Sequence, residues 1–392
     1  MVTIVGDGMG DYTFDNLSVN LEDFDVVVCD KNFKEDGENI CKLSYKKIKE
    51  YILSNYKSQN ILYVVTGSPL FFSAGTILAK SIPKKYLTII DNTSSKSYLL
   101  SKLAIGETDV SSISLHGRQN LDLMVFLKQK YTLILCDEKS LDRLKEATKY
   151  LCKDDISWII GYKMGYSDEY IGEFDPDNHD FNLKAPYTIL IKRNFDNTLK
   201  ILKDSEFDTE RGMITKRYKR ELSLQHLDLL PNLTLWDVGA GSGSCGIEAF
   251  CRYHTRVIFF EKDPKRAEFI KANLKRHRVC DTALYEGDAI KHFEAITKDP
   301  DRIFVGGGGK KLFEKLPYLY DRLNKDGVIL IVAVTLSSLT AILNILEEFY
   351  MDYEVISLSL TTYKGKLKMA EPRRELFQIR ITKQGCFLSH FL

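Results

Sequence analysis

The sequence lacks several features that would place it in a special class of proteins. No apolar run approaches the roughly 18 residues of a membrane-spanning helix, and the first residues lack the basic start and apolar core of a signal peptide. Neither sign of charge is in excess, since 55 lysines and arginines balance 54 aspartates and glutamates. We therefore expect a cytoplasmic protein that binds neither a membrane nor nucleic acid.

Cysteines in metal-binding spacing are also absent. The eight cysteines are scattered singly, at positions 29, 41, 136, 152, 245, 251, 280 and 386, and none forms a Cys-x-x-Cys pair. Most of them lie within apolar strand or helix patterns. We expect reduced thiols that are buried as small hydrophobic side chains, and no metal site.

Short β-rich runs alternate with helical patterns along all 392 residues. Continuous apolar runs bounded by turns are typical of parallel strands covered on both faces, so the pattern predicts an α/β protein. A polar stretch without a clear period separates two such series. We predict one domain over residues 1–194, a linker over 195–211 and a second domain over 212–392. Two late strand patterns, 353–360 and 375–381, have no helix between them, which predicts an antiparallel pair at a sheet edge.

The clearest motif is Asp237-Val-Gly-Ala-Gly-Ser-Gly243, which follows a predicted strand and opens a predicted helix. Glycines at such a turn let the backbone approach a ligand closely. An acid, Glu261, ends the next strand, from which a carboxylate can bind ribose hydroxyls. Asp288 and Ala289 follow the third strand, where an aspartate can contact an adenine amino group. The predicted cofactor-binding residues of this motif are Asp237, Gly239, Ala240, Gly241, Ser242 and Gly243.

A dinucleotide dehydrogenase is the competing interpretation of this loop. Its fingerprint is Gly-x-Gly-x-x-Gly, whereas here the spacing is Gly239-x-Gly241-x-Gly243 with an acid two residues earlier. That spacing is typical of S-adenosylmethionine (SAM) sites, where the acid lies near the methionine amine. Methyl transfer is an in-line displacement, so the protein mainly positions the acceptor. Residues 306–309 are all glycine where amino methyltransferases often carry Asp/Asn-Pro-Pro-Tyr/Phe, which favours carbon or oxygen acceptors.

Residues 213–220, Met-Ile-Thr-Lys-Arg-Tyr-Lys-Arg, form a basic stretch just before this series. Two interpretations stay open. The stretch is either a solvated start of a helix or a clamp for an acidic substrate beside the cofactor loop.

Together, the motifs of the second half resemble the methyltransferases of cobalamin biosynthesis that methylate C15 of a precorrin and decarboxylate its C12 acetate. The matching pieces are Thr215-Lys-Arg217, Leu235-Trp-Asp-Val-Gly-Ala-Gly-Ser-Gly243, Ile247-Glu-Ala249, Glu286-Gly-Asp-Ala289, Val305-Gly-Gly307 and Val332-Ala-Val-Thr335. The resemblance implies SAM contacts at Thr215, residues 239–243, Glu261 and Ala289. One departure is Ala370-Glu-Pro-Arg-Arg374, where that family usually has Asn-Pro-Val before its last strand.

The resemblance also implies a substrate, because a corrin precursor carries many acetate and propionate groups. Lys216, Arg217 and Arg220 are candidates for pairing with those carboxylates. Glu248 and Gly307 are candidate catalytic residues, although Glu248 is equally consistent with a carboxylate on the helix surface. The macrocycle itself accepts the electrons of the decarboxylation, so the protein contributes orientation.

The first half resembles the tetrapyrrole methylase family, in particular precorrin C5-methyltransferases. The matching pieces are Ile4-Val-Gly-Asp-Gly-Met-Gly10, Thr66-Gly-Ser-Pro-Leu-Phe71 and Ser114-Leu-His-Gly-Arg118. The resemblance implies a second SAM site at Gly6, Gly8, Gly10, Gly67 and Ser68, with His116 and Arg118 as candidate substrate contacts. The family's Gly-Asp-Pro is Gly67-Ser-Pro69 here, its first loop has Met9 in place of proline, and its Pro-Gly is replaced within residues 91–93.

The chain as a whole resembles the bifunctional precorrin-6Y C5,15-methyltransferases (decarboxylating), a tetrapyrrole methylase domain followed by a doubly wound Rossmann-like domain. The leading hypothesis is thus SAM-dependent methylation of precorrin-6Y, or of cobalt-precorrin-6B, at C5 and C15 with decarboxylation. Two alternatives stay open: a degenerate first domain that serves only as a scaffold, and a non-catalytic SAM-binding protein. RNA methylation fits the neutral charge poorly. The relatives suggest a homo-oligomer.

Overall fold

The computed structural model of the chain describes residues 1–10, 17, 19–196, 201–366 and 369–383. The chain divides into two compact units. The first comprises Met1–Gln119, Gln129–Asp142 and Ile156–Asn194, and the second comprises Asn120–Lys128, Arg143–Asp155 and the chain from Phe195 onward. Among the described residues, no helix is both long and apolar enough to cross a membrane.

The first unit contains two five-stranded sheets. In the first sheet, β1 (Val2–Gly6), β2 (Val26–Cys29), β3 (Ile40–Lys42), β4 (Ile61–Val65) and β5 (Leu87–Ile90) lie in the order β3-β2-β4-β1-β5. All pairs in this sheet are parallel, and helices α1 (Tyr45–Asn55), α2 (Ala74–Ala79) and α3 (Ser95–Leu103) follow its strands. Every residue of β1 and β4 is buried, as the apolar runs predict for strands covered on both faces.

The second sheet of this unit is mixed rather than parallel. It contains β6 (Val110–Ser114), β7 (Tyr131–Leu135), β8 (Ile156–Tyr162), β9 (Tyr170–Glu173) and β10 (Tyr187–Arg193) in the order β6-β7-β10-β8-β9. Only β6 and β7 are parallel. The prediction of parallel strands is wrong here, because no helix lies between β8 and β10 to provide the crossover that a parallel pair requires.

The second unit is a seven-stranded doubly wound sheet. Its strands are β11 (Thr234–Val238), β12 (Arg256–Glu261), β13 (Ala283–Glu286), β14 (Arg302–Val305), β15 (Val328–Ala333), β16 (Tyr353–Lys364) and β17 (Met369–Thr382), in the order β13-β12-β11-β14-β15-β17-β16. The first five of that order are parallel, and β17 and β16 are antiparallel at the edge, as predicted. The strand order reverses between β11 and β14, the place where such sheets bind ligands.

Helices of this unit are α4 (Leu123–Phe126), most of α5 (Ser140–Thr148), α6 (Arg217–His226), α7 (Ser244–Tyr253), α8 (Pro264–Arg276), α9 (Ala289–His292), α10 (Lys310–Phe313), α11 (Leu316–Arg322) and α12 (Leu336–Glu348). The described part of the stretch predicted as a linker packs into this unit. Leu202 and Phe207 are buried, and the Asp208 backbone N–H donates to Asn273 Oδ1 over 2.8 Å.

Cysteine burial is only partly as expected. Cys29, Cys245 and Cys280 are buried, but Cys41 and Cys152 are exposed, and Cys386 lies outside the described residues. Cys41 lies in β3, a three-residue edge strand that leaves this side chain in solvent. Within the described ranges, no group of three or more His, Cys, Asp and Glu residues is arranged to hold a metal ion.

Arg256 shows how segments from the first half complete the second unit. Its guanidinium, 8% exposed, donates to Asp281 Oδ2 over 2.5 Å, to the Asn232 carbonyl over 3.2 Å and to the Leu121 carbonyl over 2.6 Å. Nearby, Asn232 Oδ1 accepts from the Leu123 N–H over 2.8 Å. A buried guanidinium is tolerated only when its donors are satisfied, and here one acceptor lies more than 130 positions earlier in the chain.

We expect Arg256→Met to lower the free energy of unfolding by about 3 kcal/mol, because it leaves a mostly buried carboxylate and carbonyl without their donor. Urea denaturation of the full chain measures the change. Arg276→Met is the matched control, since Arg276 and its partner Asp208 are each more than 40% exposed, and its expected cost is below about 1 kcal/mol. Equal losses in the two variants would contradict this account of Arg256.

Candidate functional site

The glycine loop at the carboxyl end of β11 has the backbone that its sequence predicts. Gly239, Gly241 and Gly243 all have left-handed φ values, 71°, 62° and 75°, which residues other than glycine rarely adopt. The N–H groups of Gly239 and Ala240 donate to the Phe260 carbonyl over 3.0 and 3.1 Å and so tie the loop to β12. A Cβ atom on Gly241 would have no neighbour within 4 Å, so the loop borders open space at its centre.

Glu261 fixes this loop from the neighbouring strand. It ends β12, is only 5% exposed, and accepts from the Gly241 N–H over 2.6 Å and from the Asp263 N–H over 2.9 Å. Those two bonds use different carboxylate oxygens, and each oxygen retains the capacity for a further hydrogen bond. The carboxylate is therefore held at the loop with acceptor sites left for a diol such as ribose.

The third strand brings its loop to the same place. The Gly287 N–H donates to the Glu261 carbonyl over 2.9 Å. Asp288 then caps α9 by accepting from the Ile290 N–H over 3.2 Å, and Ala289 is the first residue of that helix. Only Oδ1 of Asp288 serves the cap, so its second oxygen can accept from an amino group.

Asp237 lies beneath the loop and is completely buried. Its Oδ2 accepts from the Gly246 N–H at the start of α7 over 2.9 Å, whereas Oδ1 has no partner among the described residues. Burial, reinforced by the charge of Glu261, raises the pKa of Asp237 to about 7. A buried oxygen without a partner is costly, and a cationic ligand group nearby would favour the ionised form.

The loop after β14 approaches the first loop closely. A Cβ atom on Gly239 would lie 2.5 Å from the Gly307 carbonyl oxygen, so the two backbones leave no room for a side chain there. Gly307 itself is exposed and would have no neighbour within 4 Å of an added Cβ. The residue can therefore offer only backbone groups and space to a molecule above the sheet.

Arg220 and Glu248, two of the predicted site residues, are paired with each other. Both are 0% exposed, and Arg220 Nε donates to Glu248 Oε2 over 2.5 Å. The remaining donors of Arg220 reach Asp204 Oδ1 and the carbonyls of Thr215 and Leu202 over 2.7–3.0 Å. A direct substrate contact by Arg220, or a catalytic role for Glu248, does not fit this burial, and both assignments are revised to structural ones.

The sequence did contain a signal for this burial. On α6, Arg220 is three, four and seven residues before Ser223, Leu224 and Leu227, a spacing that places all four on one helix face. That face is buried. If the helical spacing had been given more weight than the charge, the sequence would have predicted that Arg220 is buried.

The other residues of the basic stretch stay near the surface. Lys216 is exposed and its Nζ donates to the Gly212 carbonyl over 3.0 Å, and Arg217, 40% exposed, pairs with Glu221 over 2.7 Å. The Thr215 carbonyl accepts from Arg220, whose Nε donates to Glu248 of α7. The start of α6 therefore lies beside the helix that follows the glycine loop.

In the first unit, three loops meet at the carboxyl ends of β1, β4 and β5. The Gly8 N–H donates to the Gly67 carbonyl over 3.2 Å, and the Gly67 N–H donates to Asp7 Oδ1 over 2.8 Å. Asn92 Nδ2 donates to the Gly6 carbonyl over 3.0 Å. A Cβ on Gly6 would lie 2.0 Å from the Gly67 oxygen, so this approach requires glycine at position 6. Burial is the main cause that raises the pKa of Asp7 to about 6, against the Gly67 hydrogen bond.

Ser68, which stands where the related family has an aspartate, contacts a carboxylate from another loop. Its Oγ donates to Asp91 Oδ1 over 2.5 Å. Position 68 lacks a carboxylate, but the carboxylate of Asp91 is hydrogen-bonded to it. Asp91 also departs from the family pattern. Gly10 approaches a different loop, because its Cβ would meet the carbonyl of Gly165, after β8 of the second sheet, at 2.0 Å.

His116 and Arg118 follow β6, and both are exposed. The His116 backbone N–H donates to Ser114 Oγ over 3.3 Å. These two residues lie at the carboxyl end of a strand in the second sheet, not among the glycine loops of the first sheet.

The comparisons with known proteins agree with this arrangement. A family model described as a precorrin methyltransferase domain matches residues 206–383. The chain is 28% identical over 261 residues to a precorrin-6Y C(5,15)-methyltransferase (decarboxylating) from Sinorhizobium sp, covering 64% of this chain and 63% of that relative. It is 33% identical over 156 residues to a probable cobalt-precorrin-6B C(15)-methyltransferase (decarboxylating) from Pyrobaculum aerophilum, covering 39% of this chain and 79% of that relative.

Among solved structures, a crystal structure of a precorrin-6y C5,15-methyltransferase from Geobacter metallireducens GS-15 is 34% identical, with a TM-score of 0.45, and covers 48% of this chain and 99% of that chain. The resemblance predicted from the motifs is confirmed by the sequence relatives. The chain belongs to the precorrin methyltransferase family.

Proposed function

We propose that this chain uses SAM to methylate a precorrin at C5 and C15 and to remove the C12 acetate as carbon dioxide. The observation that carries the proposal is the cradle formed by the left-handed glycine loop, the fixed Glu261 carboxylate and the unpartnered oxygen of Asp237. The substrate, precorrin-6Y or its cobalt form, is taken from what the named relatives act on.

The acceptor groups of the second unit fit SAM better than a dinucleotide. Glu261 retains two acceptor positions for the ribose hydroxyls, and Asp288 retains one carboxylate oxygen for an adenine amino group. Asp237 provides a buried carboxylate for the ammonium group. SAM bound there would supply an electrophilic methyl group.

The remaining task of the protein is to position the acceptor. Methyl transfer to a ring carbon needs alignment rather than a covalent catalytic residue. An added Cβ on Gly307 or Gly309 would have no neighbour within 4 Å, so these two residues leave room for a flat macrocycle beside the cofactor loop. In the decarboxylation the ring system accepts the electron pair of the breaking carbon–carbon bond, and the carbon that loses carbon dioxide then takes a proton from water, so the residues around it need only hold the acetate in position.

The loops of the first unit support a second SAM site. The glycine approach at Gly6 and Gly67 is intact, and the Ser68–Asp91 pair provides a carboxylate at the altered position. We therefore assign C5 methylation to this unit. The alternative, in which the first unit is only a scaffold, predicts a single cofactor site per chain.

Calorimetry with S-adenosylhomocysteine should find two sites per chain, and Gly241→Val should weaken one of them by at least about 30-fold. Valine there must adopt a left-handed φ, a strain of about 1–3 kcal/mol, and would fill the open centre of the loop. Gly365→Val is the matched control, because Gly365 has a φ of 71° and equally open surroundings but lies in the β16–β17 turn. A single site in the unaltered chain would reject the two-site assignment.

At the site that Gly241→Val weakens, we expect the affinity for S-adenosylhomocysteine to fall as the pH decreases below about 7. The expected decrease is up to about tenfold per pH unit. Asp237 is protonated below its raised pKa of about 7, and a cationic ligand favours the ionised carboxylate. Asp237→Asn should flatten this dependence, whereas the exposed carboxylate variant Asp321→Asn should keep it. An unchanged pH profile in Asp237→Asn would show that this carboxylate does not contribute to binding.

With precorrin-6Y, mass spectrometry should detect the gain of two methyl groups and the loss of one carbon dioxide. Asp91→Asn should leave a product with one methyl group fewer that has still lost its acetate, because the altered carboxylate lies in the first unit. Asp109→Asn, an exposed carboxylate of the same unit, should behave as the unaltered chain does. A product that retains the acetate would contradict the decarboxylase assignment. A doubly methylated product from Asp91→Asn would show that Asp91 has no role in C5 methylation.

A further inference from the structure

Five cations lie together at the edge of the second unit that carries the glycine loops. We call them the basic rim: Lys216, Arg217, Lys219, Arg373 and Arg374. Three of them belong to the start of α6 and two belong to β17. Neither the family model nor the relatives' names assign a role to this cluster.

Strand register places the rim on the side of the sheet where the ligand loops lie. Val238, Val305, Ile331 and Ile379 form one row across β11, β14, β15 and β17. Gly239 and Gly306 follow the first two of these residues. Because β17 is antiparallel, its earlier residues extend in the same direction, and Arg374 lies three residues beyond Phe377, the partner of the last residue of β15. At about 3.3 Å per residue, Arg374 lies roughly 10 Å beyond that pairing.

The two parts of the rim contact each other through Lys219. Its Nζ donates to the Arg374 carbonyl oxygen. Burial, followed by the charges of Arg373 and Arg374, lowers the pKa of Lys219. The first turn of α6 is also fixed to α7 through the Arg220–Glu248 pair. The rim therefore extends from the helix beside the glycine loop outward to β17.

Acidic groups compensate the rim only in part. Arg217 pairs with Glu221, and Arg373 lies 3.7 Å from Glu371, with both of the latter side chains at least 40% exposed. For Lys219 and Arg374, no ion pair is found in the part of the chain that the structure describes. Like charges held together raise the energy of the free protein and lower that of an anionic complex.

We propose that the basic rim binds the peripheral carboxylates of the tetrapyrrole substrate and that Arg373 and Arg374 form its outer part. This inference rests on the proposed function. Arginine is suited to the task because its planar guanidinium pairs with a carboxylate through two parallel hydrogen bonds. The two arginines lie in Ala370-Glu-Pro-Arg-Arg374, the segment whose sequence departs from the family pattern. They replace the buried Arg220 in the role predicted from the sequence.

The test compares Arg373→Ala/Arg374→Ala with Lys275→Ala/Lys325→Ala in the full chain. The control pair removes the same charge from exposed positions that precede parallel strands, at the end of the sheet away from the glycine loops. For the rim variant we expect the KM for precorrin-6Y to rise about 10- to 100-fold, as the loss of two partly exposed charge-assisted contacts predicts. The kcat should change less than about twofold, and S-adenosylhomocysteine affinity should not change.

Arg373→Lys/Arg374→Lys keeps the charge and loses the planar fork, so its KM should lie between those of the unaltered chain and the alanine variant. A KM for the alanine variant equal to that of the control pair would overturn the inference while leaving the proposed function intact. If the unaltered chain binds S-adenosylhomocysteine but neither binds nor converts precorrin-6Y, the substrate of the proposed function fails, and the inference fails with it.

Discussion

The buried ion pair between Arg220 and Glu248 is the interaction on which the site of the second unit depends. It joins four parts of the chain: α6, the second turn of α7 through Glu248, the segment around Asp204, and the backbone at Thr215. Burying an arginine and a glutamate without solvent is unfavourable unless every donor finds an acceptor, and here Nε and both terminal nitrogens do. The geometry permits little variation, so α6 is fixed against the helix that follows the glycine loop. The start of α6, which carries three residues of the basic rim, takes its position from this contact.

Much of the second unit could be predicted from the sequence, because its signals are local. The glycine spacing, the acid at the end of β12 and the antiparallel edge pair each follow from short patterns that the structure reproduces. The roles of Arg220 and Glu248 could not be obtained in that way, because their charge suggested exposure while their partners are far apart in sequence. Asp204, one of those partners, lies in the stretch predicted as a linker.

The first unit shows a different limit of sequence interpretation. When each position is compared separately with the family pattern, the motif is lost at two places, at Ser68 and at the residues from Asp91 to Thr93. In the folded chain Ser68 donates to Asp91, so the two departures belong to one local rearrangement. Only the pairing of β1 with both β4 and β5 brings these loops together. A carboxylate at position 91, hydrogen-bonded to Ser68, keeps a negative charge at these loops although position 68 no longer carries one.

The two halves of the sequence are also less separate than their motifs. The second unit includes Asn120–Lys128 and Arg143–Asp155, which supply the Leu121 carbonyl to Arg256 and the Asp155 carboxylate to Arg278. A fragment limited to residues 206–383, the extent of the family match, would therefore leave a largely buried guanidinium short of one acceptor. Arg256 therefore makes the stability of the second unit depend on a segment that lies, by sequence, in the first half of the chain.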